Sequence, residues 1–141
     1  MAIRQLSIFV ENKQGSLHDI TDALAKAGIN LRSMCVADTS NYGIVRIIAD
    51  DPDKAKSLLD SEGYAANVRQ INAFAVPDQP GGLANVLRLL EGNGVNSDYM
   101  YALITSENGK AYSVMRTGNT EETDKILTEN GIELLNESKL H

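Results

Sequence analysis

Asn12-Lys13-Gln14-Gly15-Ser16-Leu17 opens a stretch that runs to Gly28-Ile29-Asn30, and it returns 66 residues later as Asp78-Gln79-Pro80-Gly81-Gly82-Leu83 running to Gly94-Val95-Asn96. Of the 19 aligned positions 5 are identical: Gly15 with Gly81, Leu17 with Leu83, Leu24 with Leu90, Gly28 with Gly94 and Asn30 with Asn96. Average residue usage would give about one such match. Ile20 with Val86 and Ile29 with Val95 are conservative pairs, and after a small drift Gly63 matches Gly131. The chain is a duplication, and a period of this length means one supersecondary unit per copy.

Each copy reads as strand, helix, strand, strand, helix, strand. Residues 3–10 alternate, with Leu6, Ile8 and Val10 on one side and Gln5, Ser7 and Phe9 on the other, which is the period of a strand. Leu17, Ile20 and Leu24, with Ala23 and Ala27, recur at helical spacing over 16–27, and Gly28 ends that helix. Strands follow at 31–38 and 43–49, with Thr39-Ser40-Asn41-Tyr42-Gly43 as the hairpin loop. Asp51 caps the next helix with Pro52 in its first turn; Ala55, Leu58 and Leu59 face inward and Gly63 stops it. One long strand-like stretch, 65–76, closes the first copy and opens the second.

The second copy repeats the order. Leu83, Val86, Leu87 and Leu90 make a helix ended by Gly94; strands follow at 97–105 and 110–116. Asn119 with Glu122 begins a further helix in a capping-box-like pair, Gly131 ends it, and 132–136 is a short last strand. The expected fold is therefore α+β: two tandem ferredoxin-like βαββαβ repeats, 1–70 and 71–141, with antiparallel sheets and helices on one face. That fold hosts many functions and decides none.

Composition narrows the field. The 13 Lys and Arg against 19 Asp and Glu leave a net charge of -6, which opposes a nucleic-acid binder. Only seven aromatics, five Tyr and two Phe, are present to stack on bases. Cys35 is the sole cysteine, so neither an internal disulfide nor a four-cysteine zinc site is possible. No apolar run approaches the roughly 18 residues of a membrane span. Met1-Ala2-Ile3-Arg4-Gln5 lacks the apolar core of a secretory signal, so the expected location is cytoplasmic.

Chemistry is concentrated in the two turns that join the first strand of each repeat to its first helix. Backbone N–H groups of Gly15, Ser16 and Leu17, and of Gly81, Gly82 and Leu83, are expected to lack helical partners there. Such donors, with the helix dipole, attract a carboxylate. Asn12 or Asp78, just upstream, either takes the ammonium of the same ligand or caps its helix. Asn30 and Asn96, each after a helix-ending glycine, are read as pointing back toward the same end of the sheet.

With these residues in place, Asn12 to Leu17 through Asn30, and Asp78 to Leu83 through Asn96, each resemble the ACT domain. The family pattern is close to Asp/Asn-x-Pro-Gly-x-Leu, a helix, then Gly-Val/Ile-Asn. Repeat two carries Asp78, Pro80 and Gly81 of it; repeat one has Gln14 where proline is usual, which makes its turn less rigid. The resemblance spans nearly the whole chain as a tandem, stand-alone pair. It implies regulatory binding of a small molecule, most often a free amino acid, at ACT–ACT interfaces near the turn, and allosteric regulation rather than catalysis. Carried over, Asn12, Asn30, Asp78 and Asn96 match positions that contact amino acids, and Gly15 and Gly81 match the glycine that leaves room. The whole candidate set is Asn12, Gln14, Gly15, Ser16, Leu17, Asn30, Asp78, Gln79, Pro80, Gly81, Gly82, Leu83 and Asn96. A homodimer and a regulated enzyme acting in trans are further implications; no cofactor, metal, nucleic acid or membrane partner is expected.

Other residues are read as ordinary. Cys35 is a strand filler, His18 a solvent-facing or capping residue of the first helical turn with ligand contact as the alternative, and His141 a terminal residue. Tyr99, Met100 and Tyr101 are packing residues at the start of a strand. Glu121, Glu122 and Asp124 favour a helix start through the dipole. No catalytic triad or paired-carboxylate site can be assembled. A ligand-free dimerisation module is the alternative, and an acylphosphatase-like enzyme is disfavoured because the turns contain Lys13 but no Arg.

Overall fold

The alternating stretch at the start of the chain forms strand β1 (Ile3–Glu11) in the computed structural model, which describes residues 3–38 and 41–140. The elements that follow are α1 (Ser16–Lys26), β2 (Leu31–Asp38), β3 (Tyr42–Ala49), α2 (Pro52–Ser61) and β4 (Ala65–Pro77). After them come α3 (Gly82–Gly92), β5 (Ser97–Glu107), β6 (Lys110–Thr117), α4 (Thr120–Glu129) and a 3₁₀ turn, Glu137–Leu140. Thr39 and Ser40 of the expected hairpin loop, and the terminal His141, lie outside the described residues.

The chain divides into two compact units, Arg4–Arg69 and Gln70–Lys139, with Ile3 grouped with the second; the division falls inside β4. In the first unit the strands lie in the order β2-β3-β1-β4, with β1 and β2 antiparallel to β3. Leu6, Ile8 and Val10 of β1 are buried with Val45 and Ile47 of β3, under Ile20 and Leu24 of α1 and Ala55 and Leu59 of α2. Both helices therefore cover one sheet face, and the period-two and period-3.6 patterns meet in a single core.

The second unit is built the same way. Its order is β4-β6-β5, antiparallel, and Phe74, Val76 and Met115 are buried with Val86 and Leu90 of α3 and Leu127 of α4. The expected last strand is reduced to one bridge, Phe74 with Leu134. There the Ala75 N–H donates to the Glu133 carbonyl and the Leu135 N–H to the Ala73 carbonyl, each at 2.9 Å. The chain then turns into the 3₁₀ segment instead of continuing the ladder.

Helix boundaries follow local chemistry. Asp51 Oδ1 accepts from the Lys54 N–H and Asn119 Oδ1 from the Glu122 N–H, both at 3.0 Å. All four helices close alike: the N–H groups of Ile29, Tyr64, Val95 and Ile132 donate to the carbonyls of Leu24, Leu59, Leu90 and Leu127. Leu17 and Leu83 do not join the cores, although the helical period includes them. Each is 38% exposed, and burial starts one turn later, at Ile20 and Val86.

One feature separates the repeats inside their cores. In the second unit Asn72, Thr117, Thr123 and Asp124 are all buried and bonded to one another. Asn72 Nδ2 donates to Asp124 Oδ1 at 2.7 Å and to the Thr120 carbonyl at 2.9 Å. Thr117 Oγ1 donates to Asn72 Oδ1 at 2.8 Å, and Thr123 Oγ1 to Thr117 Oγ1 at 3.0 Å. By the internal repeat, Asn72, Thr117 and Thr123 correspond to Leu6, Ala49 and Ala55, which are buried and apolar.

Candidate functional site

The turn after β1 and the turn after β4 have the same backbone. Gly15 has φ +90° and Gly81 φ +85°, the left-handed region that a Cβ disfavours. Nothing lies within 4 Å of a Cβ built on either, so both corners are open. Gly15 and Gly81 are the residues that begin α1 and α3, and neither helix has a side-chain cap. Asn12 and Asp78 are exposed and bond to neither helix start, so the capping alternative fails. Their backbones are fixed instead by the neighbouring hairpin: the Asn12 N–H donates to the Asn41 carbonyl and the Asp78 N–H to the Gly109 carbonyl.

The first-turn donors are only partly open. The Ser16 N–H donates to the Lys13 carbonyl at 3.3 Å, and the Gly82 N–H to the Gln79 carbonyl at 3.0 Å, so both are used inside their own turns. The first helical bonds are Asp19 N–H to Gly15 carbonyl and Asn85 N–H to Gly81 carbonyl. The N–H groups of Leu17 and His18, and of Leu83 and Ala84, precede a helical partner and carry the dipole's positive end. The donors expected from sequence, on Gly15–Leu17 and Gly81–Leu83, stop one residue short of His18 and Ala84, because the turn's own carbonyl takes up the Ser16 and Gly82 N–H groups. Gly82 is also not there for ligand access. A Cβ on it would stand 2.1 Å from the Pro77 carbonyl oxygen, so the turn itself fills that space. Gln14, Gln79 and Pro80 are exposed turn residues with no side-chain hydrogen bond among the described contacts.

Asn30 and Asn96 are not at this end of their units. Glu11 pairs with Tyr42, beside the turn, whereas Leu31 pairs with Ala49 at the far end of β3. The Asn30 N–H donates to Asp50 Oδ1 at 3.1 Å there, and Asn96 Nδ2 donates to Asp98 Oδ1 at 3.3 Å. The physical reason is helix length. The 11 residues of α1 carry the chain about 16 Å between Gly15 and its C-terminal end.

A cleft lies beside each turn. In the second unit it has a volume of about 380 Å³, between Val76, Pro77, Val86 and Ile132, with Lys110 and Glu133 on its rim. An adjoining lobe is bounded by Gly82 and Asn85. In the first unit the equivalent cleft holds about 270 Å³, between Phe9, Val10, Ser16 and Tyr64, with Glu11, Lys13 and Asp19 around it. Lys110 Nζ lies 2.9 Å from Glu133 Oε2 and Lys139 Nζ 3.0 Å from Glu133 Oε1. Hydrogen bonds from Lys110 and Lys139 hold the Glu133 carboxyl below the usual carboxylate range, and the same contact raises Lys110.

The remaining reactive side chains stand apart from these clefts. His18 is exposed, with Nδ1 3.8 Å from Asp19 Oδ1. Cys35 is partly buried on β2, opposite Arg46. Tyr99 and Tyr101 stack with centroids 6.4 Å apart. Among the described residues no three His, Cys, Asp or Glu are grouped to hold a metal, and no helix is long and apolar enough to cross a membrane.

Two βαββαβ units with matching glycine turns define the class, and comparison agrees: the chain belongs to the ACT domain pair family, whose pattern matches residues 1–141. The crystal structure of protein BT0572 from Bacteroides thetaiotaomicron is similar at 40% identity and TM-score 0.92, over 99% of this chain and 96% of that one. The ligand-free regulatory subunit of aspartate kinase from Thermus thermophilus shares the fold at 15% identity and TM-score 0.68, over 91% of this chain and 92% of that one. The corresponding subunit from Thermus flavus does so at 15% identity and TM-score 0.61, over 89% and 90%. No curated protein matches the chain.

Proposed function

We propose that this chain is a non-catalytic regulatory protein that binds a free amino acid beside the strand-to-helix turn of its repeats, after β1 or after β4. The observation that carries this reading is the paired left-handed glycine, Gly15 and Gly81, each at an open corner beside a cleft. The carboxylate meets the N–H groups at the start of α1 or α3, and the ammonium meets Asn12 or Asp78. Gln14, Gln79 and Pro80 shape the turns, and Leu17 and Leu83 present exposed apolar surface beside them. Asn30 and Asn96 stand away from the turn of their own repeat, so they join such a site at an interface between repeats, and a second copy of the chain supplies one, which is how a homodimer enters the reading. That the aspartate kinase subunits sharing this fold are regulatory subunits supports a signal passed to an enzyme in trans. The net charge of -6 suits a free cytoplasmic protein with no nucleic-acid partner.

Calorimetry against the twenty amino acids tests it. Heat with at least one of them, lost in Gly81→Val and weakened in Asp78→Ala, is the expected result. A bound ligand also raises the melting temperature by mass action. No heat with any of the twenty removes the sensing reading and leaves a ligand-free dimerisation module.

A further inference from the structure

Equivalent positions of the two clefts differ in charge and in size; the second cleft has Lys110 and Glu133 where the first repeat has Tyr42 and Ala65, but these two are paired with each other. At the three charged positions around the first cleft, Glu11, Lys13 and Asp19, the second repeat has Pro77, Gln79 and Asn85, all neutral. The bulky walls Phe9 and Tyr64 correspond to the smaller Ala75 and Ile132. The volumes follow, about 270 Å³ in the first unit against about 380 Å³ in the second. At the upstream polar position the charge is reversed in kind: Asn12 is neutral and Asp78 is anionic.

Resting on the amino-acid reading above, we infer that the clefts have diverged, so that only the Gln70–Lys139 cleft is a ligand site, and that it takes an amino acid with an aliphatic side chain. A carboxylate approaching α1 meets the anions Glu11 and Asp19, which offset the attraction of the helix start. Lys13 and Glu11 lie 3.2 Å apart and offset each other, which leaves Asp19 as the net anion there, where the second repeat has the neutral Asn85. A carboxylate approaching α3 meets no acidic side chain at those positions, and the ammonium has Asp78. The ligand's side chain then has Val76, Pro77, Val86 and Ile132 to pack on. A charged side chain would be desolvated against these walls without a free partner, since Lys110 and Glu133 already satisfy each other.

The experiment is calorimetry on the full-length protein with L-leucine, L-valine, L-serine and L-aspartate. One site per chain is expected, with leucine or valine bound roughly tenfold or more tighter than serine, as the burial of several methylenes dictates. Pro77→Glu with Asn85→Asp writes the first repeat's anions into the second at exposed positions, and Pro77→Gln, which loses the same wall without the charge, is its control. The double substitution should weaken aliphatic binding roughly fivefold or more at low salt, and less at high salt. Glu11→Gln with Asp19→Asn should leave the affinity of the second cleft unchanged, because neither residue lines it. Two sites per chain, serine or aspartate bound as tightly as leucine, or no response to the double substitution in repeat two each overturns the divergence while amino-acid sensing stands. Silence with all twenty amino acids overturns both.

Discussion

Asn72 and Asp124 are 52 residues apart in sequence, yet the Asn72 amide nitrogen donates to the Asp124 carboxylate at 2.7 Å with both side chains buried. Their neighbours Thr117 and Thr123 complete a chain of hydrogen bonds where the first repeat has Leu6, Ala49 and Ala55. A buried polar group costs free energy only when its partner is missing.

Removing one member should therefore hurt more than removing all. Asp124→Ala leaves the Asn72 amide with one acceptor fewer and should lower stability by about 1–3 kcal/mol in urea unfolding. The combined Asn72→Leu, Thr117→Ala, Thr123→Ala and Asp124→Leu, which removes donors and acceptors together, should cost less than that single change. A combined variant less stable than Asp124→Ala would show that the network does more than satisfy itself.

The two corner glycines should respond alike to substitution. Gly15→Ala and Gly81→Ala place a Cβ in the left-handed region but in open space, so each should cost roughly 1–2 kcal/mol from backbone strain alone. Gly82→Ala has no such strain; it meets the Pro77 carbonyl at 2.1 Å and must displace the turn. Crystal structures of the variants would show an unmoved turn for the first two and a shifted Pro77 for the third.

Acidification should loosen the end of the second repeat. The Glu133 carboxyl is held low by Lys110 and Lys139, so its folded value lies below its unfolded one. Its contribution is present above the unfolded value, near 4.5, and is lost as pH falls through the folded one. Because the group is 38% exposed, the effect should be small and screened by salt. Hydrogen exchange at the Ala75 and Leu135 amides should speed up between pH 5 and pH 3 more in the native chain than in Glu133→Gln, after correction for intrinsic rates (about two pH units, the span of one titration).

Caps give a matched pair of controls. Asp51→Ala and Asn119→Ala each remove the one side-chain acceptor at the start of α2 or α4 and should cost about 1 kcal/mol apiece. Because the two lie in different units, their effects should add within about 0.5 kcal/mol when combined. A clear excess would show that the helices unfold as one.

Most of the architecture was legible in the residues. Alternation in β1, the 3.6 spacing of Ile20 and Leu24, Asp51-Pro52 at one helix start and Gly28, Gly63, Gly94 and Gly131 at the ends are local signals, and each repeat reinforces the other. The short last strand was overdrawn, because whether 132–136 pairs depends on what β4 offers, not on its own pattern. Leu17 and Leu83 were misplaced for the same reason: a helical period shows which face a residue is on, not how far the core reaches along it.

What the sequence by itself determined is the duplicated βαββαβ plan and the matching strand-to-helix turn in each repeat, since these rest on short-range periodicity, capping and glycine. Only the tertiary structure decided which donors stay open, because the carbonyls of Lys13, Gln79 and Pro77 fold back into their own turns. It also decided that Asn30 and Asn96 lie a helix length from Asn12 and Asp78, and that the second cleft is the roomier one, with its rim charges Lys110 and Glu133 paired to each other. Distances between elements are set by how helices pack across a sheet, and no spacing along the chain encodes them.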